Sequence, residues 1–260
     1  MNYIENLFSL SGKVALVIGG SGVLGSEIAL SLAKAGAKVG VFYSGNKKGA
    51  QDCVNSIEKI GGKAAIFKAD ARSENEIGSS IDEVIKLWGE IHILVNAPGV
   101  NSTTPVMDIT EEEWDKIIDI NLKGAFWACR VVASKMIKQN IKGSIINISS
   151  ASSEIPLSKV FTYSISKSGM NNMTRFLARE WAQHSIRVNA LIPGFFPAEQ
   201  NRKILTNERT ESVFNHTPLK RFGEPSELSG AVIWLASNHA SSFVTGSLVT
   251  VDGGFTAMSI

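Results

Sequence analysis

Tyr163 and Lys167 stand four residues apart in a segment whose apolar pattern predicts a helix from about Val160 to His184. Four residues is close to one helical turn, so phenol and ammonium share a face. A free tyrosine has a pKa of about 10. A neighbouring cation stabilises the phenolate and moves the group toward working pH, where it can give a proton to an oxygen or take one from it. Ser150 lies thirteen positions before the tyrosine, just after the apolar run Ser144-Ile145-Ile146-Asn147-Ile148. A hydroxyl there could hydrogen-bond the same oxygen and support the charge that develops on it. Asn121, in Asn121-Leu122-Lys123-Gly124, could hold a water linking Lys167 to solvent. Singly these residues have plainer readings, a surface pair and a strand-end turn. Together they point to reversible proton exchange with a carbonyl or alcohol oxygen.

Such a conversion needs a hydride carrier, and the chain offers a turn suited to one. Gly19-Gly20-Ser21-Gly22-Val23-Leu24-Gly25 separates the run Val14-Ala15-Leu16-Val17-Ile18 from a helical pattern through Ile28, Leu32 and Ala33. Glycines permit positive φ and let backbone approach a pyrophosphate, which the free N–H groups of the helix N-terminus then hold. An acidic residue ending the second strand would bind a ribose 2′-hydroxyl and repel a 2′-phosphate. Phe42-Tyr43-Ser44-Gly45-Asn46-Lys47-Lys48 stands there instead, so Tyr43, Ser44 and Asn46 suit a 2′-phosphate, NADP(H) is favoured and NAD(H) remains possible. Lys47 and Lys48 could equally solvate the start of a helix. Asp70 and Ala71 after the third strand, and Asn96, Ala97 and Gly99 after the fourth, are placed to meet the adenosine and ribose.

The elements that must position these residues alternate. Strands are expected at Val14–Ile18, Val39–Phe42, Ala64–Phe67, Ile91–Val95, Ser144–Ile148, Ile186–Leu191 and Leu248–Val251. Helical patterns lie between them, including a long one from about Glu111 to Lys138, broken near Gly124, and one from Pro225 to Ala236. Strands apolar on both faces imply an α/β fold, a single-domain doubly wound parallel seven-stranded sheet with helices on both faces, spanning residues 1–260. Right-handed crossovers place the strands' C-terminal ends on one edge, where each candidate residue falls.

Lys and Arg number 26 against 24 Asp and Glu, with no block of like charge, which argues against nucleic-acid and membrane partners and for a small-molecule carbonyl or alcohol substrate. Cys53 and Cys129 alone make no disulfide framework, and the sequence shows no basic and apolar leader, so a cytoplasmic setting is expected. His92, His184, His216 and His239 lack ligand spacing, so no metal is expected.

With the tetrad Asn121, Ser150, Tyr163 and Lys167 and the glycine turn in place, the chain resembles the short-chain dehydrogenase/reductase family from Lys13 to Gly254. The family pattern recurs in Arg187-Val188-Asn189-Ala190-Leu191-Ile192-Pro193-Gly194, in Arg221-Phe222-Gly223-Glu224-Pro225 and in Val251-Asp252-Gly253-Gly254. The resemblance implies hydride transfer with Tyr163 as general acid and base, Lys167 also holding the nicotinamide ribose, and Pro193, Gly194 and Phe196 meeting the nicotinamide. It also implies a homotetramer in which the two long helices pair between subunits, with Phe126, Trp127, Phe176 and Trp181 available to those faces. Departures from the pattern are Ile18, Val23, Asn96-Ala97-Pro98-Gly99 and Ala198. The end of strand two resembles 3-oxoacyl-(acyl-carrier-protein) reductases. Gly22-Val23-Leu24-Gly25, Pro193-Gly194-Phe195-Phe196 and Ser241-Ser242-Phe243-Val244-Thr245-Gly246 look like sugar-acid reductases of the fructuronate reductase (D-mannonate oxidoreductase) type. A loop carrying Gln200, Asn201 and Arg202 would suit a polyhydroxylated acid, with Gln200 and Arg202 as substrate contacts beside Ser150, or could be a solvated helix face. A nucleotide-sensing module without turnover is the non-enzymatic alternative.

Overall fold

A computed structural model describes residues 2–196 and 206–258. The seven strands are β1 (Val14–Ile18), β2 (Lys38–Tyr43), β3 (Lys63–Lys68), β4 (Ile93–Asn96), β5 (Ser144–Ile148), β6 (Arg187–Pro193) and β7 (Leu248–Val251). They form one sheet in the order β3-β2-β1-β4-β5-β6-β7, every pairing parallel. The order reverses between β1 and β4, and a ligand crevice forms outside the C-terminal ends at such a point.

The helices are α1 (Tyr3–Phe8), α2 (Val23–Lys34), α3 (Lys47–Lys59), α4 (Glu74–Trp88), α5 (Glu111–Ile118), α6 (Gly124–Lys138), α7 (Phe161–Trp181), α8 (Asn207–Asn215) and α9 (Ser229–Ala236). Alternation along β1 divides the core. Ala15 and Val17 pack with Ile28 and Leu32 of α2, Val54 and Ile57 of α3 and Val232 and Leu235 of α9. Val14, Leu16 and Ile18 face the other layer, with Ile77 and Ile81 of α4, Val132 and Met136 of α6 and Leu177 of α7. A strand buried on both faces tolerates polar side chains only where they are paired, which explains its unbroken apolar run.

Local chemistry fixes the ends. Ser73 accepts the Glu76 N–H at the start of α4, Glu74 and Glu76 favour that first turn, and Gly89 closes the helix at φ 88°. Thr110 caps α5 through Glu113, beside three acidic residues. Several expected bounds shift: β2 and β3 each extend by one residue at both ends, the sixth strand runs Arg187–Pro193 rather than Ile186–Leu191, and Pro225–Leu228 is a 3₁₀ turn before α9. The fourth strand begins at Ile93 rather than Ile91, and the break near Gly124 is a π turn over Asp119–Lys123. Helix α1 was not foreseen: it buries no residue, so it carries no apolar stripe to read, although Asn2 and Glu5 form its capping box.

Candidate active site

The glycine turn opens the crevice. Gly19 has φ 76°, and a Cβ there would stand 2.8 Å from the carbonyl of Ala97 on the loop after β4. A Cβ on Gly25 would collide with the Gly19 carbonyl. Both positions therefore require glycine, which holds the turn against the start of α2. Gly22 is the N-cap of α2 and brings no side-chain acceptor to the free N–H groups of the first turn. Those groups are left for an anionic ligand, as a dinucleotide pyrophosphate requires. Ser21, Val23 and Leu24 complete this rim, half-buried or exposed.

The end of β2 is more occupied than its sequence implies. The Asn46 carbonyl caps α3 by accepting the Gly49 N–H at 2.9 Å, and its amide donates to the Ser21 carbonyl at 3.2 Å. Asn46 thus ties β2 to the glycine turn, with one amide hydrogen left for a phosphate. Tyr43 is half-buried, while Ser44, Lys47 and Lys48 are exposed around it. Asp70 is likewise engaged: Arg72 donates to its carboxylate at 2.6 Å and holds its carboxyl below the usual range. An adenine contact there would compete with this pair. Ala71 packs its carbonyl against Gly124, where a Cβ would stand 2.5 Å away.

Asn96 differs from its expected role. Its side chain is buried and donates to Asn147 at 2.9 Å and to the sulfur of Cys129 at 3.1 Å, so only its main chain, with Ala97 and Gly99, can line a nucleotide. Burial holds the Cys129 thiol up to about 12, which keeps it neutral.

The four predicted chemistry-bearing residues converge on the ends of β4 and β5 and on α7. Ser150 follows β5 in extended backbone at the start of a 3₁₀ turn, Ala151–Ser153. Its Oγ accepts the Ser152 N–H at 3.2 Å and the Ser152 hydroxyl at 3.1 Å, so its own hydrogen is free to be donated. The Tyr163 hydroxyl faces Ser150 closely enough for the serine to draw its pKa down. Lys167 is 2% exposed, its Nζ 5.6 Å from the centre of the Tyr163 ring and 2.8 Å from the Ile148 carbonyl, to which it donates. Asn121 sits in the π turn with no exposed surface. It accepts the Val100 N–H at 2.9 Å and donates to the Val100 carbonyl at 2.9 Å and to Ser166 at 3.1 Å. The bridge from Asn121 to Lys167 through water is therefore left with one Oδ1 lone pair on the side chain. The amide's main task is to pin the loop after β4 to α7.

The electrostatics correct the expectation of an acidified phenol. Burial raises Tyr163 above its ordinary pKa, and Ser150 only partly offsets it. Burial also lowers Lys167 to about 8. A four-residue spacing fixes the face but not the depth: Lys167 is buried and Tyr163 half-buried, with protein packed around its hydroxyl. A phenol kept neutral in this way is a proton donor.

A cleft of about 720 Å³ lies between Ile155–Ser158, which follow the Ser150 turn in the chain, Phe195 after β6, and α8; none of the four chemistry-bearing residues lines it. Glu208, Arg209, Glu211, Ser212, Asn215 and His216 give it a polar wall. Arg209 is half-buried. Gly194, after Pro193, packs so tightly that a Cβ would stand 2.7 Å from Asp252, and Phe196 is partly buried against Gly223. Gln200, Asn201 and Arg202, as well as Ala198, lie outside the described residues. Sequence reasoning missed Glu113, which accepts Ser102 at 2.7 Å and Thr104 at 2.6 Å and so orders the loop after β4. Glu113 stands three residues after the cap Thr110, a capping-box spacing that marked it as a special position. Among the described residues no cluster of three or more His, Cys, Asp or Glu could hold a metal, and no helix is long and apolar enough to cross a membrane.

The family model described as enoyl-(acyl carrier protein) reductase matches residues 21–256. Glucose 1-dehydrogenase 2 of Bacillus subtilis (strain 168) is 36% identical over 95% of this chain and 96% of its own. The 2-dehydro-3-deoxy-D-gluconate 5-dehydrogenase of Escherichia coli (strain K12) is 35% identical over 98% and 99%. A crystal structure of a gluconate 5-dehydrogenase from Burkholderia cenocepacia J2315, in complex with NADP and tartrate, superposes with a TM-score of 0.93 at 32% identity, covering 99% of this chain and 100% of that one. The chain belongs to the short-chain dehydrogenase/reductase family and is an oxidoreductase that uses a nicotinamide cofactor.

Proposed function

We propose that this family member interconverts a carbonyl and an alcohol on a sugar acid, with NADP(H) as its cofactor. The observation that carries the reading is the convergence of the Tyr163 hydroxyl on Ser150, with Lys167 buried 5.6 Å from the centre of the phenol ring. When bound, the nicotinamide supplies or accepts the hydride. Tyr163, neutral through burial, gives its proton to the carbonyl oxygen in the reducing direction and recovers one in the oxidising direction. Ser150 donates its free hydrogen to the same oxygen and supports its developing charge. Lys167 lies where it can hold a ribose hydroxyl and stabilise a transient phenolate, and Asn121 fixes the loop that borders both.

For the cofactor, Gly19, Ser21, Gly22, Val23, Leu24 and Gly25 are proposed at the pyrophosphate. Tyr43, Ser44 and Asn46 are proposed at the 2′-phosphate, Asp70, Ala71 and the main chain of Asn96, Ala97 and Gly99 at the adenosine, and Pro193, Gly194 and Phe196 at the nicotinamide. The lack of a carboxylate at Tyr43 and Ser44 supports the phosphorylated form, as does the NADP in the Burkholderia relative. Two of the relatives act on gluconate or its dehydro-deoxy derivative by name, which supports an acid substrate. Substrates of the fructuronate reductase type belong to the same chemical class. Arg209 in the cleft wall can hold the carboxylate, and the neighbouring acids, Ser212 and Asn215 can accept or give hydrogen bonds to hydroxyls. Arg202 and Gln200 remain proposed contacts from the adjoining segment. Exposed Phe161, Ile165 and Phe176 on α7 support a homotetramer, and two buried free cysteines suit a reducing cytoplasm.

The test is a panel of aldonic and uronic acids with their keto forms, neutral sugars and an acetoacetyl thioester, each with NADP(H) and NAD(H). Highest kcat/KM on an acid with NADP(H) is expected. Preference for the thioester or for neutral sugars would overturn the substrate reading. Tight NADPH binding without any turnover would favour a sensing module.

A further inference from the structure

The wall of α7 that faces β5 and the turn after it carries a polar series, Tyr163, Lys167, Asn171 and Thr174. Lys167 donates to Ile148, and Asn147 donates to Thr174 at 2.9 Å. Asn171 is 4% exposed, and its amide donates to the Ser153 hydroxyl at 2.8 Å and to the Glu154 carboxylate at 2.7 Å. Its own carbonyl oxygen is buried with no partner. Leaving a buried acceptor unpaired costs about 1–3 kcal/mol, so fold stability alone does not explain an amide at this position. What the amide does hold is Ser153. The Ser153 hydroxyl donates to the carbonyl of Ser150 at 2.6 Å, its N–H donates to the same oxygen at 2.9 Å, and its carbonyl accepts Ser168 of α7 at 2.9 Å.

We infer that Asn171 and Ser153 are positioning residues that set where Ser150 stands relative to Tyr163, acting on its main chain from the same helix that carries the phenol. The inference rests on the role given to Ser150 above. The geometry explains why the link matters: among the described residues Ser150 is hydrogen-bonded to its own turn through Ser152 and Ser153, and the turn is joined to α7 by Asn171 and Ser168. A shift of the turn would carry Ser150 away from the Tyr163 hydroxyl while leaving the glycine turn and the cofactor crevice in place.

The experiment measures Asn171→Leu, Ser153→Ala and Ser153→Thr, each alone and combined with Ser150→Ala, on the preferred substrate of the panel. Asn171→Leu and Ser153→Ala should each lower kcat about 10-fold with cofactor affinity unchanged, and move the rising limb of the oxidation pH profile to higher pH. Ser153→Thr keeps the hydroxyl and should restore most of kcat. In the Ser150→Ala background the same changes should lower kcat less than about 2-fold, because the group they position is gone. Equal losses in both backgrounds, or a fall in thermal midpoint with no change in pH profile, would overturn the inference. If Asn171→Leu does not fold, Ser153→Ala decides alone. Unchanged turnover in Ser150→Ala itself would instead strike at the role assigned to Ser150.

Discussion

The ammonium of Lys167 is bonded to the Ile148 carbonyl at 2.8 Å and lies 5.6 Å from the centre of the Tyr163 ring. It is therefore held by the strand, with the phenol as its neighbour. This arrangement keeps a desolvated ammonium at a fixed distance from the proton-transferring group.

Replacing Tyr163 with Phe removes the hydroxyl and keeps the ring. Turnover should fall at least about 10³-fold, the scale at which a positioned acid contributes, while NADPH binding changes little. Steady-state rates and quenching of intrinsic fluorescence by NADPH measure the two quantities, and residual activity near wild type would refute the role.

The raised pKa of Tyr163 gives the two directions different pH dependence. Reduction uses the neutral phenol, which dominates at neutral pH, so its rate should be flat there. Oxidation uses the phenolate, whose fraction grows about tenfold per pH unit below the pKa, so its rate should climb through the neutral range. Paired pH profiles check this, and an oxidation rate that is flat between pH 6 and about 8 would contradict it.

Lys167 has a folded pKa lowered from 10.5 to about 8. Its folded form binds fewer protons between those values, so its contribution to stability is present above 10.5 and is lost as pH falls through about 8. The stability of the wild type relative to Lys167→Met should therefore increase by roughly 1 kcal/mol per pH unit across that window. Urea unfolding at stepped pH measures it, and a constant difference would disprove the shift.

Gly19→Ala places a Cβ at φ 76° and 2.8 Å from the Ala97 carbonyl. A loss of about 1–3 kcal/mol in stability is expected, together with weaker cofactor binding, because the turn and the loop after β4 must separate. Unfolding curves and NADPH titration read both effects, and an unchanged affinity would show that the turn does not shape the crevice.

Tyr43→Asp puts a carboxylate at the last position of β2. The ratio of kcat/KM for NADP(H) over NAD(H) should fall at least about 10-fold, since a 2′-phosphate would be repelled and a 2′-hydroxyl gains an acceptor. No change in the ratio would remove the strand-end argument for NADP(H).

Much of the frame was readable because its causes are local. Periodicity located β1, β5 and β7 at their observed bounds, and the separation of Tyr163 and Lys167 fixed their common face. The depth of that face was not readable. Burial depends on how α7 packs against β5, and it reversed the expected shift of Tyr163. Partnerships made by neighbouring loops were also hidden: Arg72 against Asp70, Asn46 against Ser21, and the engagement of Asn121 with Val100 and Ser166. Each arises from the path of a turn, which composition does not specify.

The π turn at Asp119–Lys123 separates α5 from α6 by one surplus residue. Each residue in a regular helix advances about 100°, so that surplus re-phases everything downstream. Cutting a single position here would swing Val132 and Met136 off the sheet and turn Asn121 away from Val100. A length change that a surface loop would absorb silently would thus dismantle both the core of one layer and the border of the crevice.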